Sequence, residues 1–361
     1  MTERERYLAT FSFEPVDKPF VRAVGGWLET GQRWQAEGWD GTPLHEIFGT
    51  DTVLGTGVYY GPMPRFENEV LEETETTRVY INHEGIIMRE FKDFHGNSSM
   101  PQFVRFPVET DEDFEKICGE RLQLVFDQRT PGNWADLVAS FRHRDKPLMN
   151  FADRWGGFFG PLRNLMGVEN LCIAFYDNPA LIERMMDQRV EAMIEITGKV
   201  LDEVEIDTFG FWEDMGFKTA SLLSPAMFRK YMVPRYAQVT EWLRSRGVKH
   251  VGVDSDGDVS ELIPLWLEAG LDLVWPMEVA AGMDVVALRR EYGQDLNMIG
   301  GIDKRVLAVG GQTMRDEVDR IMPVVESGGF IPEIDHSAPP DISWPNMCEY
   351  MEYLMMRLGR G

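Results

Sequence analysis

Cysteine is scarce: Cys118, Cys172 and Cys348 are the only three in 361 residues, and they stand far apart. An odd number with no CxxC pair argues against a disulfide framework and against the common cysteine-based metal and redox motifs. Basic residues are also few, 36 Lys and Arg against 60 Asp and Glu, and the net charge of -24 repels nucleic acid and anionic membrane surfaces. No apolar run approaches the roughly 20 residues needed to span a bilayer. The charged opening MTERERYLATF lacks the apolar stretch of a signal peptide. These absences point to a cytoplasmic protein acting on a small molecule, with no nucleic acid or membrane as partner.

What is present has two textures. From Lys146 onward, short apolar runs alternate with long amphipathic segments, as in repeated βα units around a parallel sheet. The runs PLMNFA, DTFGFW, VKHVGV, LDLVWP, LNMIGG and GGFIPE read as strands. Helices are predicted over 179–201, 225–246, 259–269, 284–292, 314–326 and 345–358. Two of them open with Asn-Pro or Ser-Pro, a side-chain cap followed by the residue that needs no amide donor. The segment DKPFVRAVGGWLE reads as a further strand, loop and helix. That makes seven strands where a closed (β/α)8 TIM barrel needs eight, and the eighth is expected between Thr50 and Val108. The stretch 78–91 alternates around His83, Glu84 and Gly85 like a hairpin. With no internal repeat or low-complexity linker, the expectation is one α/β TIM-barrel domain over 1–361, with 50–145 as an irregular β-rich insertion. Whether the region around His83 and His95 covers the mouth or meets a partner is left open.

In such a barrel the residues after each strand share one mouth. They are rich in acids and tryptophans. After the first of the six runs come Asp153, Arg154 and Trp155, with Asn150 inside it; after the second come Trp212, Glu213 and Asp214. The third supplies Asp254 and Asp256, the fourth Trp275 and Glu278, and the sixth His336. Each has an ordinary reading: Asp and Gly after a strand form turns and caps, and aromatic residues there pack. So many carboxylates without matching Lys or Arg are harder to explain, because like charges at close range must be protonated or neutralised. Asp254, Asp256, Glu213 and His336 are the candidate catalytic groups. Asn150, Asp153, Arg154, Trp155, Trp212, Asp214, Trp275 and Glu278 are candidates for holding substrate, the tryptophans as an apolar wall or an aromatic box for a quaternary ammonium.

The motifs WLETGQRWQAEG, FWEDM, DSDGD, GGID, GGFI and DHSAPP, in this order, resemble the uroporphyrinogen decarboxylase superfamily over nearly the whole chain. The resemblance implies a TIM barrel and one of two chemistries. True decarboxylases carry Arg-Gln-Ala-Gly-Arg-Tyr after the first strand, whose arginines hold the substrate's carboxylates; here that place reads RAVGGWLETG, with one arginine, Arg22. The methyltransferase branch moves a methyl group between a corrinoid protein and a thiol or tetrahydrofolate, and holds zinc through His-x-Cys, a distant Cys and, in some members, a Glu. Asp254-x-Asp256, His336 and Glu278 stand at those places, a harder ligand set for zinc or another divalent ion. The expectation is a methyltransferase working with a corrinoid protein and a small donor or acceptor, such as tetrahydrofolate, a thiol, a methoxylated aromatic or a methylamine, and a homodimer as members of the family often are. The same acids could instead work without a metal, by donating a proton to the departing nitrogen or oxygen. Two alternatives are a decarboxylase of a small or tetrapyrrole acid, with Arg154 and Arg163 as the clamp, and a non-catalytic binding barrel.

Overall fold

The computed structural model describes residues 1–92 and 101–360; His95 lies outside them. Eleven strands form two sheets. The larger is parallel and runs in chain order: β1 (Leu54–Gly55), then β6 (Leu148–Phe151), β7 (Thr208–Trp212), β8 (His250–Asp254), β9 (Leu273–Met277), β10 (Asn297–Ile302) and β11 (Phe330–Ile334). The smaller is antiparallel, with β2 (Glu69–Glu73), β3 (Thr77–Ile81), β4 (Ile87–Phe91) and β5 (Gln102–Arg105). Strands β10 and β11 are buried at every position, as expected where helices cover one face and the barrel interior the other.

The result is a curled, TIM-like α/β sheet with an N-terminal antiparallel extension. All six predicted βα strands are present within two residues, β1 supplies the strand sought after Thr50, and β3 and β4 form the predicted hairpin. The difference lies at the seam. The expected strand in DKPFVRAVGGWLE forms no ladder; its one bridge is Gly26 to Ala338. Side chains do much of the joining there, beside the main-chain bonds from Ala338 to Gly25 and from Asp51 to Val21. The Asp51 carboxylate accepts the Val21 amide at 3.0 Å, and Arg22 grips Glu333 on β11. A main-chain donor satisfied by a carboxylate has no need of a neighbouring strand.

The helices begin as their caps predict. Asn178 and Ser224 accept the amides of Leu181 and Met227, each with proline at the next position. The predicted helix over 225–246 is broken into Pro225–Tyr231 and Val233–Ser245, because Pro234 cannot supply the amide that would continue the first into the second. Among the described residues no helix is long and apolar enough to cross a membrane.

Candidate functional site

The middle residue of strand β9 is Trp275, whose indole lies across the barrel interior because its neighbours have no side chains. Gly210 on β7 and Gly252 on β8 pair with each other, and a Cβ on either would meet the ring at 2.9 or 2.5 Å. Phe151 on β6 packs against the same ring with centroids 6.0 Å apart. Above this floor, at the carboxyl ends of the strands, a cavity of about 260 Å³ is lined by Trp212, Asp214, Asp254, Asp256, Trp275 and His336. Val24, Pro276, Glu333, Ile334 and Ser337 complete its wall.

Three of the four carboxylates in that wall have basic partners. Arg163 donates to the Asp214 side chain at 2.8 Å and to its carbonyl at 2.7 Å, holding a non-glycine residue at a φ of 45°. Arg22 donates to both oxygens of Glu333, at 3.0 and 2.8 Å. His336 Nε2 sits 3.4 Å from Asp256, and this contact raises the imidazole above its usual range. Asp254 has no such partner among the described residues. Burial, and then the charges of Asp256 and Asp214, push its carboxyl well above the usual carboxylate range; His336 and the Trp275 indole pull only weakly the other way. The site therefore presents a carboxyl biased toward its protonated form, flanked by Trp212 and Trp275 on the neighbouring strands.

Six of the predicted residues thus share one cavity, and six do not. Glu213 is buried behind it. One oxygen accepts the Phe158 amide at 2.8 Å and the Tyr236 hydroxyl; the other accepts the amides of Phe159 and Gly160 at 2.6 and 2.9 Å. It caps the helix Phe159–Met166, and burial outweighs these donors to push it up to about 7. Asn150 is locked inside the barrel between Thr56 and Tyr60. Trp155 is buried, donating to Glu84 of the hairpin turn at 3.2 Å. Asp153 and Arg154 are exposed on the short turn after β6.

Glu278 turns away to pair with Lys304 at 3.0 Å and to accept the Gly257 amide at 3.1 Å. The expected ligand quartet is therefore not gathered: the lysine occupies the fourth member, and among the described residues no three His, Cys, Asp or Glu side chains form a metal-holding group. The aromatic box is altered too. Arg163 and Arg154 lie over Trp212, 4.9 and 5.4 Å from its centroid, so guanidinium groups already take the place a ligand cation would have.

A uroporphyrinogen decarboxylase family model matches residues 136–355, more than half of the chain. The chain belongs to the uroporphyrinogen decarboxylase family. It is 27% identical over 183 residues to the uroporphyrinogen decarboxylase of Acidiphilium cryptum, covering 50% of this chain and 48% of that one. It is 24% identical over 172 residues to the enzyme of the same name from Gluconobacter oxydans, covering 45% and 46%. The chain thus spans about half the length of the curated relatives it matches. In structure it is similar to a methyltransferase from Methanosarcina mazei, with a TM-score of 0.62 over 99% of both chains at 15% identity, a likeness of fold.

Within this family fold, the sequence named Arg22 and Arg163 but not the carboxylates they hold. Arg22 and Arg163 reach the mouth from a segment before the barrel and from a helix, and no local motif marks an arginine that pairs with a residue 311 positions away. Asp335, the first residue of the DHSAPP motif, is wholly buried. It accepts the amides of Val279 and Lys304, tying β11 to the loops after β9 and β10.

Proposed function

We propose that this protein is a methyltransferase that passes a methyl group from a small methylated molecule to a corrinoid protein, with Asp254 as general acid. The observation that carries the reading is the raised carboxyl of Asp254, which has no basic partner among the described residues, in a cavity whose other carboxylates are matched. Loss of a methyl group leaves an electron pair on the departing oxygen or nitrogen, and a carboxyl biased toward its protonated form supplies the proton that this atom takes up. A corrinoid partner, when bound, supplies the nucleophile that accepts the methyl group. Trp275 and Trp212 give the substrate its apolar walls. His336 and Asp256 hold each other in place beside the acid and provide a route by which it regains its proton.

Metal-assisted activation of a thiol has less support, since Glu278 is committed to Lys304. A pterin acceptor remains compatible with the same acid. Cob(I)alamin incubated with methoxylated aromatics, methylamines or methyltetrahydrofolate tests the proposal, as does methylcob(III)alamin with tetrahydrofolate or a thiol. Formation or loss of the methylcobalamin spectrum is expected in at least one arm. A flat spectrum in all of them overturns the reading.

A second reading, decarboxylation, is favoured by the names of the two curated relatives. Against it stands the fate of the arginines: Arg22 is held by Glu333 and Arg163 by Asp214, so neither is free to hold a substrate carboxylate. Release of carbon dioxide from a panel of small acids and from uroporphyrinogen distinguishes the two.

A further inference from the structure

A second, larger cavity of about 560 Å³ lies on the other side of the barrel seam, lined by Arg22, Val24, Trp39, His45 and Thr52 among others. Val24 borders both cavities, and between them stands one ion pair: Glu333 faces the first cavity and Arg22 the second. The pair is bidentate, the geometry in which a guanidinium is fully committed to one carboxylate. Glu333 is rigidly placed, in register with Gly301 on the buried strand β11. Arg22 belongs to the seam segment that has no ladder and is tied by the Val21 and Asp51 bonds and the Gly26 bridge.

We propose that Glu333 is a specificity-determining residue: it withholds Arg22 from carboxylate ligands and keeps the two cavities apart, so that Arg22 is offered to no substrate carboxylate. An arginine beside a cavity is by default an anion receptor, and a carboxylate already in its fork removes that capacity while leaving the local charge balanced. The inference rests on the reading of the first cavity as the substrate site.

The test is binding of glutarate, a small dicarboxylate, by calorimetry, with glutaramide as the uncharged control. Glu333→Gln keeps the side-chain volume but releases the guanidinium, and glutarate is expected to bind about 10-fold tighter or more than to the native protein, the size of one charge-assisted contact. Glu333→Asp, with a shorter reach, is expected to lie between, and it serves where the Gln variant does not melt cooperatively. Adding Arg22→Met to either is expected to abolish the gain, and glutaramide is expected to gain nothing. Equal glutarate binding by native and variant proteins overturns the proposal, as does a gain that survives Arg22→Met. None of these readings involves methyl transfer, so the cobalamin assay on the native protein can fail while this one succeeds, and the reverse.

Discussion

Replacing Gly252 with alanine is the sharpest test of how the cavity floor is built. The added Cβ would stand 2.5 Å from the Trp275 ring, 2.8 Å from the Leu273 carbonyl and 2.9 Å from the Leu273 Cβ. Carbon atoms at rest are about 3.5–4.0 Å apart, so the indole must retreat by about 1 Å. The carbonyl belongs to a ladder strand and cannot give way. Overpacking of this kind costs about 1–3 kcal/mol. With an unfolding entropy of about 2.1 cal/mol/K per residue over 361 residues, each kcal/mol lowers Tm by roughly 1.3 °C, so a drop of about 1–4 °C is expected.

Function should suffer more than stability. A 1 Å displacement of a positioning group costs about 100-fold in rate, and Trp275 is both the cavity floor and a neighbour of Asp254. Gly210→Ala supplies the contrast: its Cβ meets the edges of the Phe151 and Trp275 rings at 2.8 and 2.9 Å, with no backbone atom among its three closest contacts. It should therefore be milder in both respects. Melting curves and kcat/KM for methyl transfer, measured side by side, decide it. If Gly252→Ala matches the native protein in both, or if Gly210→Ala is the worse of the pair, the account of the floor is wrong.

Asp254→Asn should lower kcat by about 100- to 10,000-fold with little change in substrate binding, and the native rate should fall as pH rises through the raised carboxyl of Asp254; an unchanged pH profile in the variant would remove Asp254 from the chemistry. His336 is raised by Asp256, so their pairing stabilises the fold fully below the ordinary histidine value and is lost as pH rises through the higher folded value; NMR titration of the ring in Asp256→Asn should find it lowered. Glu213→Gln places an amide where the buried oxygens accept four donors, leaving at least one donor unsatisfied at a cost of about 1–3 kcal/mol. Melting should show this, roughly 1–4 °C, while an assay at saturating substrate should show little loss of kcat.

The repeating strands and helices were legible because each signal is local: apolar runs of strand length, and caps such as Ser224-Pro225 beside the helices they start. Strand-end position alone placed Trp212, Asp214, Asp254, Asp256, Trp275 and His336 at one cavity. It could not say which way each side chain turns. Glu213 and Asp214 are neighbours in the chain, yet one is sealed behind a helix start and the other opens onto the cavity.

By itself, then, the sequence determined the class of fold, the order of its parallel strands and the acidic, aromatic character of the mouth, since periodicity and composition act over a few residues at a time. Only the tertiary structure decided which acids are paired. That depends on arginines and a histidine brought from far along the chain to 2.8–3.4 Å from a carboxylate, a distance at which one pairing outweighs the local pattern. The same long-range pairing joins the barrel at Arg22 and Glu333, where the sequence promised a strand, and leaves Asp254 as the cavity acid with no basic partner among the described residues.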